Sequence, residues 1–198
     1  MTAELNPVLD RKLPFIEAFL GTLLSPNETF KRLASESRQD THQLPAAFAI
    51  VVIVSALDAF RLSGSGKMAF AMLGFEVTGA VMIWVLSALV IGLTALSFGT
   101  PSTNLRAAFV TMAWSLLPWI FLGPLACYAK LLGVLRSLLM CLPLFWILLL
   151  QIIAIKNSFE MKTWQALMLV FIVPALLSWY QILQFFQSLA ATLGPWMA

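Results

Sequence analysis

Charge is scarce in this chain. Of 198 residues only 11% are Asp, Glu, Lys or Arg, while 61% are hydrophobic. A soluble domain carries about 25% charge, so a water-exposed fold is excluded. The residues of catalysis are scarce too. There is one histidine, His42, and the sequence sets no cysteine or carboxylate beside it at metal-ligand spacing. The two cysteines, Cys127 and Cys141, form no CxxC pair and read as packing residues. HExxH, GxSxG and Walker A patterns are missing. The chain is therefore expected not to be an enzyme, and to need no metal or cofactor. No small-molecule substrate is evident. Nor is a secretory signal expected: the first apolar stretch, Phe15–Leu24, is short, contains Glu17, and no small-residue cleavage site follows it.

What the chain has in abundance is long hydrophobic runs, at a mean hydropathy of +0.91. Each crossing of a bilayer takes about 20 apolar residues. Five runs fit, over residues 45–62, 70–98, 107–128, 138–155 and 164–186. The expected fold is thus an all-α membrane bundle of about five spans, occupying residues 44–198. Turn signals separate the runs: Ser63-Gly64-Ser65-Gly66, Gly99-Thr100-Pro101-Ser102 and Lys156-Asn157-Ser158. Pro118, Pro124, Pro143 and Pro174 fall inside spans, where neighbouring helices must satisfy the freed carbonyls. Small residues at fourfold spacing, Ala107, Thr111 and Ser115, and likewise Ala88 and Gly92, permit close helix approach.

Residues 1–43 differ. They hold five of the 12 basic residues and six of the nine acidic ones. The near balance excludes a polybasic nucleic-acid arm. Phe15, Ile16, Phe19, Leu20, Leu23 and Leu24 form one apolar stripe at helical spacing. Ser25-Pro26-Asn27-Glu28 then reads as a helix start: Ser25 as cap, Pro26 in the first turn, Glu28 closing a capping box. Phe30 and Leu33 share a face of the helix that follows. Two arrangements suit the pattern: amphipathic helices on the membrane surface, or a cap packed on the bundle.

Lysine and arginine also set an orientation. For five spans, eight fall on the N-terminal side and four on the other. The positive-inside rule then predicts a cytoplasmic N-terminus and a C-terminus on the opposite side. Trp114, Trp119, Trp164, Trp179 and Trp196 are candidate interface anchors. The polar residues of most interest are Asp58, Arg61, Lys67 and Glu76. Ionisable groups inside a span mark functional sites by default. Asp58 and Arg61 are three apart on one helix face, and the short loop returns the chain so that Lys67 and Glu76 approach them. Two readings stay open. One is interfacial ion pairing that locks the first hairpin. The other is an ion or proton path, which needs polar groups deeper in the bundle; Gln151, Thr94, Ser87 and Ser115 are the candidates.

The layout resembles the Yip1 family of five-span membrane proteins. The residues that carry this are Leu24-Ser25-Pro26-Asn27-Glu28-Thr29-Phe30 with Leu33-Ala34, the polar loop Gly99 to Asn104, the run Ala113–Pro118, and Lys156-Asn157-Ser158-Phe159 before Trp164-Gln165-Ala166. The similarity is to the compact prokaryotic type; the aspartate-leucine-tyrosine-glycine-proline stretch of eukaryotic members is absent. The resemblance implies a membrane-embedded adaptor or scaffold, contacting the lipid bilayer and other membrane proteins or copies of itself. The alternative is a small transporter or channel subunit using the intramembrane carboxylates.

Overall fold

The computed structural model describes residues 13–63, 67–99, 105–128 and 135–171. These are almost wholly helical, with no strand among them. In chain order come α1 (Phe15–Leu24), α2 (Pro26–Gln39), α3 (Gln43–Ser63), α4 (Lys67–Ser97), α5 (Leu105–Trp114), a 3-10 turn (Leu117–Phe121), α6 (Leu122–Tyr128) and α7 (Leu135–Phe159). The chain is helical again over 163–171. Most of the predicted fifth span, with Pro174 and Trp179, and the tail with Trp196 lie outside the described residues.

Three segments are long and apolar enough to cross a membrane: Leu73–Ser97, Leu105–Leu125 and Cys141–Phe159. Their outer faces carry large bare side chains, such as Phe75, Leu93 and Met82, each more than half exposed. Water would not tolerate so continuous an apolar surface; lipid tails would. This is an all-α integral membrane protein. Helix α4, with 31 residues, is about 46 Å long at 1.5 Å per residue. The hydrocarbon core is about 30 Å, so α4 is longer than one crossing needs.

The third span is interrupted where proline demands it. Leu116 N–H reaches back to the Ala113 carbonyl and Trp119 N–H to that of Leu116, both three residues away. The helix tightens into the 3-10 turn that holds Pro118 and resumes as α6. Pro143, by contrast, is carried inside α7. The small-residue face is wholly buried: Ala107, Thr111 and Ser115 are 0% exposed. Thr111 Oγ1 lies 2.7 Å from Ser158 Oγ of α7, a contact only small side chains allow. Trp114 is also fully buried. It packs on Phe15, ring centroids 5.2 Å apart, and is a core residue rather than an interface anchor. Trp164 is half exposed and meets Phe98 edge-on.

The polar N-terminal segment is built into this core. Phe30 and Leu33 of α2 are fully buried, and they join the same apolar cluster as Ala108, Leu150 and Ile155. Helix α2 packs against α5 and α7. Helix α1 does the opposite, leaving Ile16 71% and Leu24 81% exposed. Helix α2 is therefore the cap packed on the bundle, while α1 leaves much of its apolar stripe exposed.

Candidate functional site

Asp58 and Glu76 sit on the two arms of the α3–α4 hairpin and line one cavity of about 300 Å³. Both are half-buried. The remaining wall is mostly apolar, with Trp84, Ile83, Leu116 and Trp119 prominent. Ser55, Ser87 and Gln151 add polar groups. Two of the four deeper polar residues named from the sequence, Ser87 and Gln151, thus share a cavity with both carboxylates. The other two do not: Thr94 donates to the Val90 carbonyl at 2.7 Å and Ser115 to that of Met112 at 2.6 Å, so each hydroxyl is satisfied within its own helix. The side chains of Arg61 and Lys67 lie outside the described residues. Asp58 already makes an interaction of its own. Glu76 makes no hydrogen bond or ion pair among the described residues.

The second feature is the joint between the N-terminal helices and the bundle. Ser25 ends α1 and starts α2. Its N–H donates to the Gly21 carbonyl at 2.8 Å, and its carbonyl accepts from Thr29 N–H and Thr29 Oγ1. The predicted capping box does not form. Ser25 precedes the helix and Pro26 begins it, but the Ser25 side chain makes no cap hydrogen bond. Its backbone, at φ −138° and ψ 62°, serves two helix ends at once, and Glu28 makes no bond back to it. Gly21 is required here: a Cβ would fall 2.3 Å from Thr29 Oγ1.

At the other end of α2, Arg38 ties the segment to α7. Its Nη2 donates to the carbonyls of Asn157 at 3.1 Å and Ser158 at 2.9 Å, and Nη1 pairs with Glu160. Those carbonyls are the last of α7, where a helix leaves acceptors unpaired. Met161 N–H donating to the Lys156 carbonyl, with Glu160 at φ 52°, completes a left-handed helix stop. Asn157 also reaches Asn27 at 3.2 Å. On the outer face, Arg32 pairs with Glu17 of α1 at 2.7 Å.

Sequence reading missed the surroundings of His42. The bend after α2 sets its Nε2 3.6 Å from Glu36 Oε2 and its Nδ1 3.1 Å from Asp40. Glu36 also accepts from Leu13 N–H at 2.9 Å and Gln43 at 3.2 Å. Six residues of separation hid the Glu36 contact, because the end of α2 had to be known first. The group is a polar clasp; among the described residues no cluster of three or more potential ligands could hold a metal.

The whole arrangement, from the α1–α2 joint to the last helical segment, falls within residues 20–183, which match the Yip1 domain. The chain belongs to the Yip1 family. No curated protein and no solved structure matches it. The Yip1 match takes in Arg38, Asn157 and Glu160 as well as Asp58, Glu76 and Gln151, so both the docked segment and the cavity belong to the domain itself.

Proposed function

We propose that this Yip1-domain protein is a non-catalytic membrane adaptor, with its N-terminus in the cytoplasm and its C-terminus across a five-span bundle. The observation that carries this reading is the docking of α2. Buried Phe30 and Leu33 and the Arg38 clamp hold the N-terminal helices to the bundle. A merely tethering segment needs no such mounting. Fixed in this way, α1 presents Ile16, Leu20 and Leu24 at the membrane boundary, where another membrane protein or a second copy can meet them. The eight-to-four basic count supports the orientation. The test is photo-crosslinking in cells from Ile16, Leu24 and, as control, Phe75 on the outer face of α4. The adaptor reading expects discrete protein adducts at the α1 positions and lipid adducts at Phe75. Lipid adducts alone at all three positions would overturn it.

A second reading, passage of a small solute or ion, is favoured by one observation: Asp58, Glu76 and Gln151 share a cavity. Protein in liposomes with a pH-sensitive dye inside tests it. Proton flux that disappears in Asp58→Asn would replace the adaptor reading.

A further inference from the structure

We propose that the α3–α4 cavity is a binding site for an organic cation with an apolar body, held by Glu76. The inference rests on the cavity that favours the second reading above, but it concerns binding and does not require passage.

Three features of the cavity point to this chemistry. The first is its shape. Along α4 it extends from Glu76 to Ser87, eleven residues, or about 16 Å of helix. With a volume of about 300 Å³ it is a narrow slot, at the small end of the range for ligand sites. The second is its lining. Trp84 and Trp119 stand in the wall, and Trp84 is fixed by its Nε1–H, which donates to the Phe109 carbonyl at 3.0 Å. Indole faces attract cations, most strongly where water is displaced. The third is a polar group at the far end. Ser87 is only 8% exposed and lines the slot. Serine inside a helix ordinarily bonds its own backbone, as Ser55 does with the Val51 carbonyl at 2.7 Å; no such bond is formed by Ser87 among the described residues, and a ligand that hydrogen-bonds at its far end can reach it from the slot. Gln151, across the slot on α7, offers a second such group.

Charge then decides the class. Among the described residues, the ionisable side chains that line the slot are Asp58 and Glu76, both acidic. Of the two, Asp58 already has an interaction and Glu76 has none among the described residues, so Glu76 is the counter-ion. An anion would meet two carboxylates, and a neutral chain would leave Glu76 unpaired in an apolar wall. A cation with a short apolar body satisfies the carboxylate, the indole faces and the apolar wall together.

The experiment uses the full-length chain in nanodiscs of zwitterionic lipid, titrated calorimetrically against empty nanodiscs. The probes are hexyltrimethylammonium, hexanol and hexylsulfonate. Saturable binding of the cation is expected, with the sulfonate failing to bind. Glu76→Gln is expected to weaken the cation at least about tenfold, as removal of one partner from a partly desolvated charge pair does. Glu76→Asp retains binding, and Ser87→Leu, which fills the slot without touching its charge, abolishes it. The comparison of the three probes on the unaltered chain needs no variant to fold. Equal binding of hexanol and the cation, or no saturable binding of the cation, would overturn the proposal. Binding without flux in liposomes sinks the passage reading and leaves the site standing; flux without cation binding does the reverse.

Discussion

Replacing Arg38 with Met should release the N-terminal segment from the bundle while leaving the spans intact. Met keeps most of the apolar stem and removes only the guanidinium. That group makes two hydrogen bonds from Nη2, at 2.9 and 3.1 Å, to the terminal carbonyls of α7. Hydrogen bonds from a charged donor are worth about 1.5–3 kcal/mol; since both come from one nitrogen, about 2 kcal/mol for the pair is reasonable. The Glu160 partner is 67% exposed, so its ion pair adds about 1 kcal/mol or less. The docking of α2 should therefore weaken by about 3 kcal/mol, or roughly a hundredfold in the local opening equilibrium. Hydrogen exchange followed by mass spectrometry reads this directly on Phe30–Arg38. Protection there should fall by that factor, with α4 and α7 unchanged. Glu160→Ala should move it less than about fivefold, consistent with an exposed pair. Glu160→Gly separates the backbone from the charge. Glycine adopts the left-handed φ of 52° without the roughly 1 kcal/mol that other residues incur, so this variant should be at least as protected as Glu160→Ala. Unchanged exchange across α2 in Arg38→Met would refute the clamp.

Phe30 is 0% exposed, so Phe30→Ala should cost about 3–5 kcal/mol, read as a lower denaturation midpoint in mild detergent. Gly21→Ala places a methyl against Thr29 and should destabilise the α1–α2 joint by about 1–3 kcal/mol; a chymotryptic cleavage assay in the segment 15–30 would show it as faster cutting. Ser25→Ala should be nearly silent, within about 0.5 kcal/mol, because the Ser25 side chain makes no cap bond; faster exchange across 27–33 would contradict this. Reporter fusions after Arg38 and at Ala198 should report opposite sides of the membrane, and both ends on one side would exclude five spans.

Several decisive features were legible before any coordinates. The scarcity of charge and the long apolar runs required a membrane bundle, since no soluble fold could hide that surface. The break at Ser25, the turn at Gly99 and the interruption at Pro118 follow from local backbone chemistry that needs no partner; the stop read at Lys156-Asn157-Ser158 comes later, because α7 runs through Phe159 and ends at Glu160. The Yip1 resemblance was readable because its elements are ordered along the chain. The candidate cavity was half legible. Asp58 and Glu76 could be paired from hairpin geometry, and Ser87 and Gln151 were named as deeper polar groups.

What joined them was the packing of α5 and the 3-10 turn against the hairpin, with α7 packed in turn on both. Periodicity alone does not state which neighbour a helix face meets. Tertiary structure also divided the N-terminal segment. From sequence, α1 and α2 were both amphipathic helices; in the fold, α2 gives Phe30 and Leu33 to the core while α1 leaves Ile16 and Leu24 outside it. Only the meeting of Arg38 with the last carbonyls of α7, about 120 residues further along the chain, decides which helix is the cap. Local rules determined that each helix forms. The burial of Trp114 and the joining of Gln151 to the slot of Asp58 and Glu76 depend on contacts between residues far apart in the chain, and those exist only once the helices have packed.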